Sequence, residues 1–567
     1  MNKRFFLALV LTAVVIIVTP LVFQGSARKT DTSNAIKPDT ASHSTVQPTE
    51  TARVAIPSMD SATRKLSRRP TETATTLASA RTDTSVVRTA RATYTFSGRG
   101  AAPLGVVLDS FVSRRPVGGL RTVQLVDLRH ALARYQLALG RDTIALDTIA
   151  FQAVASNTVA GPLGFAGEAA GHSIRIDYSF AHDVAEEYLF QAKVGVAGAP
   201  AGSSLIVNLP EALLSNEPDT LDDINHLAIS YRPAKGDVSS VGFSKLDTTE
   251  VRLAVGPINW VAERNKYFLV AIRGVSAPFA QLRMLGAPRT GKVAGEAYAA
   301  ASLPLAGDGS AVFDMYAGPQ SFERLRRLGG DFDQVNPYAG WLHGVVQPFA
   351  TIVMRALLWM KRTTQLNYGW VLVLFGITIR LVLWPLNQSA MRTSMKMQRL
   401  QPELQAIQKK YSDDPKRQQE AIMKVYKDHG MSPLSPLMGC LPMLLPMPVL
   451  FALYYVFQNT IEFRGVPFLW LPDISLRDPF YITPLLMGIS MFVMSWIGMR
   501  NSPPNPQAKM MSYMMPVMLT VLFLNFASGL NLYYAVQNVA AIPQQWLLAR
   551  ERAKEPASNP APVNRRA

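Results

Sequence analysis

Five apolar runs in the C-terminal half, 366–386, 434–459, 481–499, 510–527 and 529–549, constrain this 567-residue chain more than any other feature. Each is long enough to cross about 30 Å of hydrocarbon as a helix rising about 1.5 Å per residue. The connecting charges test that reading. The segment 387–433 carries nine Lys/Arg against five Asp/Glu, whereas 461–480 carries two against three. Arg500, Lys509, Arg550, Arg552 and Lys554 fall on the same side as the basic segment. Basic residues concentrate on the cytoplasmic side of a membrane protein, so alternate connections are assigned to opposite faces.

The N-terminus adds a sixth span. Lys3 and Arg4 precede an uncharged run from Phe5 to Phe23, longer than the usual signal-peptide core and close to the length of a membrane span. It reads as an uncleaved anchor, residues 1–23, although Gly25-Ser26-Ala27 offers a small-residue cleavage site. Both termini are then cytoplasmic, and 550–567 is a basic cytoplasmic tail. Residues 24–91, rich in Thr, Ser, Ala and Arg with almost no aromatics, read as a disordered tether. From 92 to 330 short alternating runs such as SIRIDYSF (Ser173–Phe180) and LAISYR (Leu227–Arg232), broken by Gly, Pro, Asn and Asp, read as an all-β sandwich outside the cytoplasm. His130, His172, His182 and His226 fall in it without a recognisable histidine–carboxylate constellation, which disfavours a sugar-active site.

The formal charge of +17 lies beside apolar runs, with no zinc-finger or aromatic RNA-binding signature, so DNA is not an expected partner. One cysteine, seven scattered histidines and no Walker motif leave no expected cofactor or metal. Between the β region and the first C-terminal span, 331–365 reads as an amphipathic helix lying on the outer surface. His343, Gln347, Thr351 and Arg355 recur every four residues as a polar stripe, with Trp341 and Trp359 as interface anchors. On the cytoplasmic side, 387–433 reads as a helical hairpin. Met391, Met395, Leu400, Leu404, Ile407 and Tyr411 form one apolar seam that Pro402 should kink, and Asp414-Pro415 starts a second helix that Gly430 stops. A solvated spacer and, through its basic side chains, Arg392, Lys396, Arg399, Lys409 and Lys410 among them, a docking element for anionic lipid or ribosomal RNA are equally open readings.

Within the five C-terminal spans Arg380 is the only Asp, Glu, Lys, Arg or His. A guanidinium keeps its charge at any accessible pH, and a charge at mid-membrane costs at least about 2.5–3.5 kcal/mol. Snorkelling toward the interface is one remedy, a wet cavity another. The last span offers lining for a cavity. It carries Asn531, Tyr534, Gln537, Asn538, Gln544 and Gln545, of which Asn531, Tyr534, Gln537 or Asn538, and Gln545 lie near helical spacings on one face, with interhelical hydrogen bonding as the alternative role. No acidic partner is present in the spans, unlike in proton- or ion-coupled transporters, so the site waits for an anionic visitor. Two spans are crowded with methionine, whose side chain repacks around varied apolar shapes. Met443, Met447, Met514, Met515 and Met518 are candidates for a surface that receives other hydrophobic helices.

GITIRLVLWPL, MKMQRLQPELQAIQKKY, GCLPMLLPMPVLFALYYVF, FLWLPDISLRDPFYITPLLMG and MMSYMMPVMLTVLFLNFASGLNLYYAVQN, in that order, resemble the YidC-type membrane protein insertases of bacteria. NWVAERNKYFLVAIRG and YAGPQSFERLRRLG resemble the periplasmic β domain of Gram-negative members. The resemblance implies a polytopic α-helical membrane protein of the inner membrane with six transmembrane helices, a cytoplasmic helical hairpin and a large periplasmic all-β supersandwich domain. It implies an insertase and chaperone, not an enzyme, with a groove open to cytoplasm and lipid. Nascent membrane proteins are the expected substrates, with the Sec translocon, anionic phospholipids and the ribosome as candidate partners. By motif match Arg380 is the family's groove arginine and Tyr534 the tyrosine facing it. Some members carry a hydroxyl one turn before the arginine; here Gly376 stands there, with Thr378 on another face. The competing classes are a solute transporter or channel and an anchored sugar-modifying protein.

Overall fold

The computed structural model describes residues 84–115, 122–127, 130–154, 163–180, 187–289, 293–336, 343–429, 447–499 and 506–554. The N-terminal anchor, nearly all of the tether, the loop at 500–505 and the tail beyond 554 lie outside these residues, as do 434–446 of the second apolar run.

Alternation of buried and exposed side chains dictates the N-terminal half. In His172–Phe180 the buried residues are Ile174, Ile176, Tyr178 and Phe180, every second one, as a half-buried strand requires. Among the described residues, fourteen antiparallel strands share one sheet and four more form a second. The centre of the large sheet runs through Arg252–Arg264, Phe268–Gly274, Ser310–Pro319, Leu189–Val196 and His172–Phe180. The small sheet joins the same core through aromatic rings. Phe96 packs 4.6 Å from Tyr178, and Tyr94 packs 5.3 Å from Phe190.

The sequence boundary at residue 92 is corrected here. Thr84–Arg88, read as the end of the tether, is a strand paired antiparallel with Ala92–Ser97, its Val87 buried. Five residues flanked by Thr- and Arg-rich chain bury too few side chains to stand out by composition, and pairing with a neighbour defines them.

Helices follow. Within the β domain is the short α1 (Thr220–Asn225), and α2 (Phe322–Leu328) leads out of it. Then come α3 (His343–Thr364), α4 (Tyr368–Val382), α5 (Trp384–Lys410), α6 (Pro415–Asp428), α7 (Met447–Asn459), α8 (Ile482–Met499), α9 (Pro506–Phe523) and α10 (Ser528–Lys554). Among the described residues only α8 is by itself both long and apolar enough to cross a membrane. The 366–386 run is divided: α4 ends at Val382, and Trp384-Pro385-Leu386 open α5 instead. Pro385 has no N–H, and its ring would clash with the carbonyl four residues back, so one helix cannot pass through it unbroken.

α3 and α4 meet at a bend of 118°. The proposed polar stripe on α3 does not form one exposed face. Gln347 is buried, whereas Phe349, Ile352 and Trp359 are exposed beside Arg355. The 343/347/351/355 spacing advances slightly more than a full turn per step, so the row drifts around the helix. The buried face holds Val346, Ala350, Val353 and Leu357, which pack in the helical core with Leu372 and Phe457.

Over its described residues the hairpin is the helix pair α5 and α6, and Gly430, the expected stop, lies outside those residues. Asp414 caps α6 by accepting from the Arg417 N–H at 3.1 Å, with Pro415 at the first position. Leu400, Leu404 and Ile407 of α5 meet Ile422, Val425 and Tyr426 of α6. α5 continues as one helix across Pro402 to Lys410.

Charge fastens the β domain to the segment joining α7 and α8. Arg464 Nε and Glu217 Oε1 lie 2.6 Å apart, their side chains only 5% and 6% exposed, and the guanidinium also donates to the carbonyls of Val112 and Asn216. Arg114 reaches across to Asp473 at 3.0 Å. Asp473 also accepts from the N–H groups of Gly465 and Ser475. Ile461 is buried in the β-domain core itself. Close by in the chain, Asp223 of α1 accepts from the Lys266 N–H at 3.0 Å and from Asn265 at 3.3 Å. Burial pushes its carboxyl up to about 6.

Two predictions follow from these buried charges. Arg464→Ala strands Glu217, at a cost of about 3–5 kcal/mol, and thermal unfolding of the detergent-solubilised protein should show it. An Arg464→Met/Glu217→Leu double variant should recover most of that loss. A folded pKa above the unfolded one means that Asp223 holds its proton longer when folded, so its contribution falls as pH rises through the interval between the two. Wild type should therefore lose about 1 kcal/mol relative to Asp223→Asn between pH 5 and 7. A flat difference across that range rules out the protonated carboxyl.

Candidate functional site

The site is built where α4, α8, α9 and α10 meet. Phe375 of α4 stacks near Tyr533 of α10, and one turn on, Gln537 donates 3.4 Å to the Gly376 carbonyl. Further along both helices Arg380 reaches Gln544. The contacts advance together, so α4 and α10 run side by side in one direction. Asn538 to Ser490 at 3.2 Å, and Gly498 beside Gln545 further along, set α8 on the neighbouring face of α10 and in the same direction. Phe492 of α8 meets Tyr513 of α9, and Gly488 meets Thr520, so α9 runs the opposite way.

Gly376 accounts for the missing hydroxyl one turn before the arginine. A Cβ there would sit 3.2 Å from Val536 Cγ1, closer than the packing tolerates without a shift. Small residues at a helix crossing let backbones approach, and here the approach brings the carbonyl within reach of Gln537.

The polar residues of the last span are committed mainly to neighbouring helices. Asn531, fully buried, donates to the Phe523 carbonyl at 3.1 Å. Gln537 also donates to the Tyr533 hydroxyl at 2.7 Å, and Asn538 to the Met487 carbonyl at 3.4 Å. Interhelical hydrogen bonding is thus the observed role of all three.

Arg380 is half-buried. One Nη donates 2.7 Å to Gln544 Oε1, and its Nε is buried without a partner. Gln544 donates in turn to the Trp384 carbonyl at 3.2 Å. Tyr534, the expected partner, lies elsewhere. Its ring packs 5.7 Å from Phe523 and 5.4 Å from Tyr533. It precedes Gln544 by ten residues, about 15 Å of helix rise, which explains why a residue near the helix start cannot take that place. Gln544 was visible in the sequence as a polar residue of the last span, but only the register of α4 against α10 selects it over its neighbours.

An exposed apolar surface lies alongside. On α9 Met510, Met514, Val517 and Val521 recur at three- and four-residue steps and are 42–61% exposed. On α8 Ile482, Leu485, Ile489, Phe492 and Trp496 do the same. Met514 belongs to this surface, and Met515 and Met518 are half-buried on the flanks. Met443 lies outside the described residues, and Met447 opens α7. Arg392, Lys396 and Arg399 lie along α5, with Lys409 and Lys410 exposed at its end.

In the β domain the fold makes a histidine–carboxylate pair that the sequence did not disclose. His130 lies 3.3 Å from Glu211, whose other oxygen is 3.4 Å from Arg134. The partners are 81 residues apart in the chain, and strand pairing unites them.

Comparison with known proteins agrees with this architecture. The family model described as the YidC periplasmic domain matches residues 87–352, and the one described as the 60Kd inner membrane protein matches 359–555. The membrane protein insertase YidC of Anaeromyxobacter dehalogenans is 35% identical over 306 residues, 53% of this chain and 54% of that protein, so the match spans about half the length of that relative. The membrane protein insertase YidC of Chlorobium phaeovibrioides is 30% identical over 482 residues, 80% of this chain and 81% of its own length. Among solved structures, an active YidC insertase with its first transmembrane domain resolved aligns at 19% identity and a TM-score of 0.32, covering 81% of this chain and 94% of that one. A galactose mutarotase related enzyme from Lactobacillus acidophilus aligns at 10% identity and a TM-score of 0.28, covering 41% and 97%. Neither superposition is given weight at those scores. Two family models laid end to end over nearly all of the described chain, and a relative matched over four-fifths of both lengths, establish that the chain belongs to the YidC family of membrane protein insertases.

Proposed function

We propose that this protein inserts nascent proteins into the bacterial inner membrane and chaperones their folding, without catalysing a covalent reaction. The observation that carries the reading is Arg380, the one charged residue of the five apolar runs, bonded to a neutral amide and retaining an unpartnered Nε. In this reading six helices cross the membrane, with both termini and the α5–α6 hairpin in the cytoplasm and the β domain in the periplasm. The alternating directions of α4, α8 and α10 against α9 support it.

A hydrophobic segment of the substrate lies against the exposed faces of α8 and α9, where Met514 and its neighbours adapt to its shape. Its polar tail passes beside Arg380. Stripping water from that tail is the main barrier to crossing, and a fixed guanidinium lowers it for a carboxylate. Release into lipid follows from hydrophobic burial and needs no nucleotide. In this reading Arg380 lines the groove, Asn531, Gln537 and Asn538 hold its helices in register, and Tyr534 packs in the aromatic cluster beside Phe523 and Tyr533. The basic residues of α5 face anionic phospholipid or the ribosome, and the Sec translocon is a partner for longer substrates.

The test is insertion of a single-span substrate into liposomes holding the purified protein, with acidic and neutral tails compared. Wild type should exceed bare liposomes for both tails. Arg380→Ala should lower insertion of the acidic tail about tenfold or more, the scale of one hydrogen bond to a charged group, and Arg380→Lys should fall between the two. If Arg380→Ala inserts acidic tails as wild type does, the groove role of Arg380 is wrong.

A further inference from the structure

The side chain that Arg380 holds is Gln544, from α10. Gln544 is 1% exposed and fixed at both ends, its oxygen on the guanidinium at 2.7 Å and its nitrogen on the Trp384 carbonyl at 3.2 Å. An amide can present either end to a neighbour. The carbonyl of Trp384 accepts only N–H, so it turns the amide nitrogen toward itself and leaves the oxygen for Arg380. A guanidinium offers five N–H groups. The amide oxygen takes one of them, and the Nε–H is left buried and unpaired. A carboxylate would accept two parallel N–H groups at once, with charge-assisted bonds about twice as strong as neutral ones.

We propose that Gln544 is a displaceable placeholder. It occupies on Arg380 the place that a substrate carboxylate takes, and thereby sets how strongly acidic tails are preferred over neutral ones. The inference rests on the insertion reading and adds a specificity-determining residue to it. Gln544 keeps the guanidinium from standing bare among apolar helices. When a carboxylate arrives, one neutral acceptor leaves and two charged ones replace it. The strength of the bond to Gln544 is therefore subtracted from the advantage of every acidic tail.

Two substitutions separate this from a merely structural role. Gln544→Met keeps the length and removes the acceptor, so an incoming carboxylate has no competitor; the ratio of acidic-tail to neutral-tail insertion should rise about threefold to tenfold. Gln544→Glu supplies a permanent carboxylate, so Arg380 is already neutralised; the ratio should fall to the Arg380→Ala level. A residue needed only for packing would move both variants in the same direction. The measurement uses the full chain in liposomes with the two synthetic tails, after thermal unfolding shows each variant folded. An unchanged or lower ratio in Gln544→Met overturns the proposal, as does a Gln544→Glu ratio that stays at the wild-type level. If wild type inserts neither tail above bare liposomes, the insertion reading itself fails, a result separate from either of these.

Discussion

A guanidinium cannot be discharged to escape an apolar environment, and the helical half of this protein is arranged around that fact. Lys or His at the same place could shed a proton; Arg380 has to find acceptors or water. The acceptor comes from α10, and reaching it requires α4 and α10 to run parallel and close. Gly376 permits the approach, Gln537 secures it to the Gly376 carbonyl, and Gln544 meets Arg380 further along. Asn538 fixes α8 to the same helix from another side. The amides of α10 therefore do two things at once, setting register and solvating a charge. Displacing any of them shifts the acceptor that Arg380 depends on.

At its contact with the β domain the chain answers buried charge differently. Arg464 is nearly as enclosed as a core residue, and its partner is a full carboxylate, Glu217, supported by two backbone carbonyls. Arg114 and Asp473 repeat the arrangement beside it. Such pairs lock one geometry, because removing either member leaves a charge with nowhere to go. They lie between the β domain and the segment that connects α7 to α8, and so hold the large domain in place against the helices. The chain thus pairs arginine with acid at the β-domain contact and with a neutral amide among the apolar helices.

These distinctions set what could be read in the sequence. Period-2 alternation exposed the β domain because each strand buries one face, and the cap at Asp414 was legible because it is complete within four residues. The apolar runs marked their helices but not their ends, since Pro385 ends α4 inside an uninterrupted hydrophobic stretch. The stripe on α3 misled because four-residue spacing drifts on a helix of 3.6 residues per turn, leaving Gln347 inside and Ile352 outside. Arg380 was legible as a solitary charge. Its partner was not, because Gln544 is one of several amides on α10 and lies 164 residues away. Only packing chooses among them. Tyr534, chosen by family likeness, sits where that packing puts an aromatic cluster instead.

An acid at position 544 would have solved the burial problem more completely, and the reason to expect an amide instead lies in exchange. A buried arginine–carboxylate pair is costly to open, since each partner is left with its full desolvation penalty. A groove closed by such a pair would hold its own internal ligand against any substrate tail. With no ligand at all, the guanidinium would carry several unmet N–H groups among apolar side chains, a cost that destabilises the helices around it. A neutral amide lies between these limits. It accepts one good hydrogen bond from Arg380, and on the proposal above it yields to a carboxylate, which accepts two. Because the amide carries no charge, its departure leaves only a dipole to be re-satisfied, and the Trp384 carbonyl already holds the other end. The arrangement keeps the guanidinium hydrogen-bonded without neutralising its charge, as the proposed exchange requires.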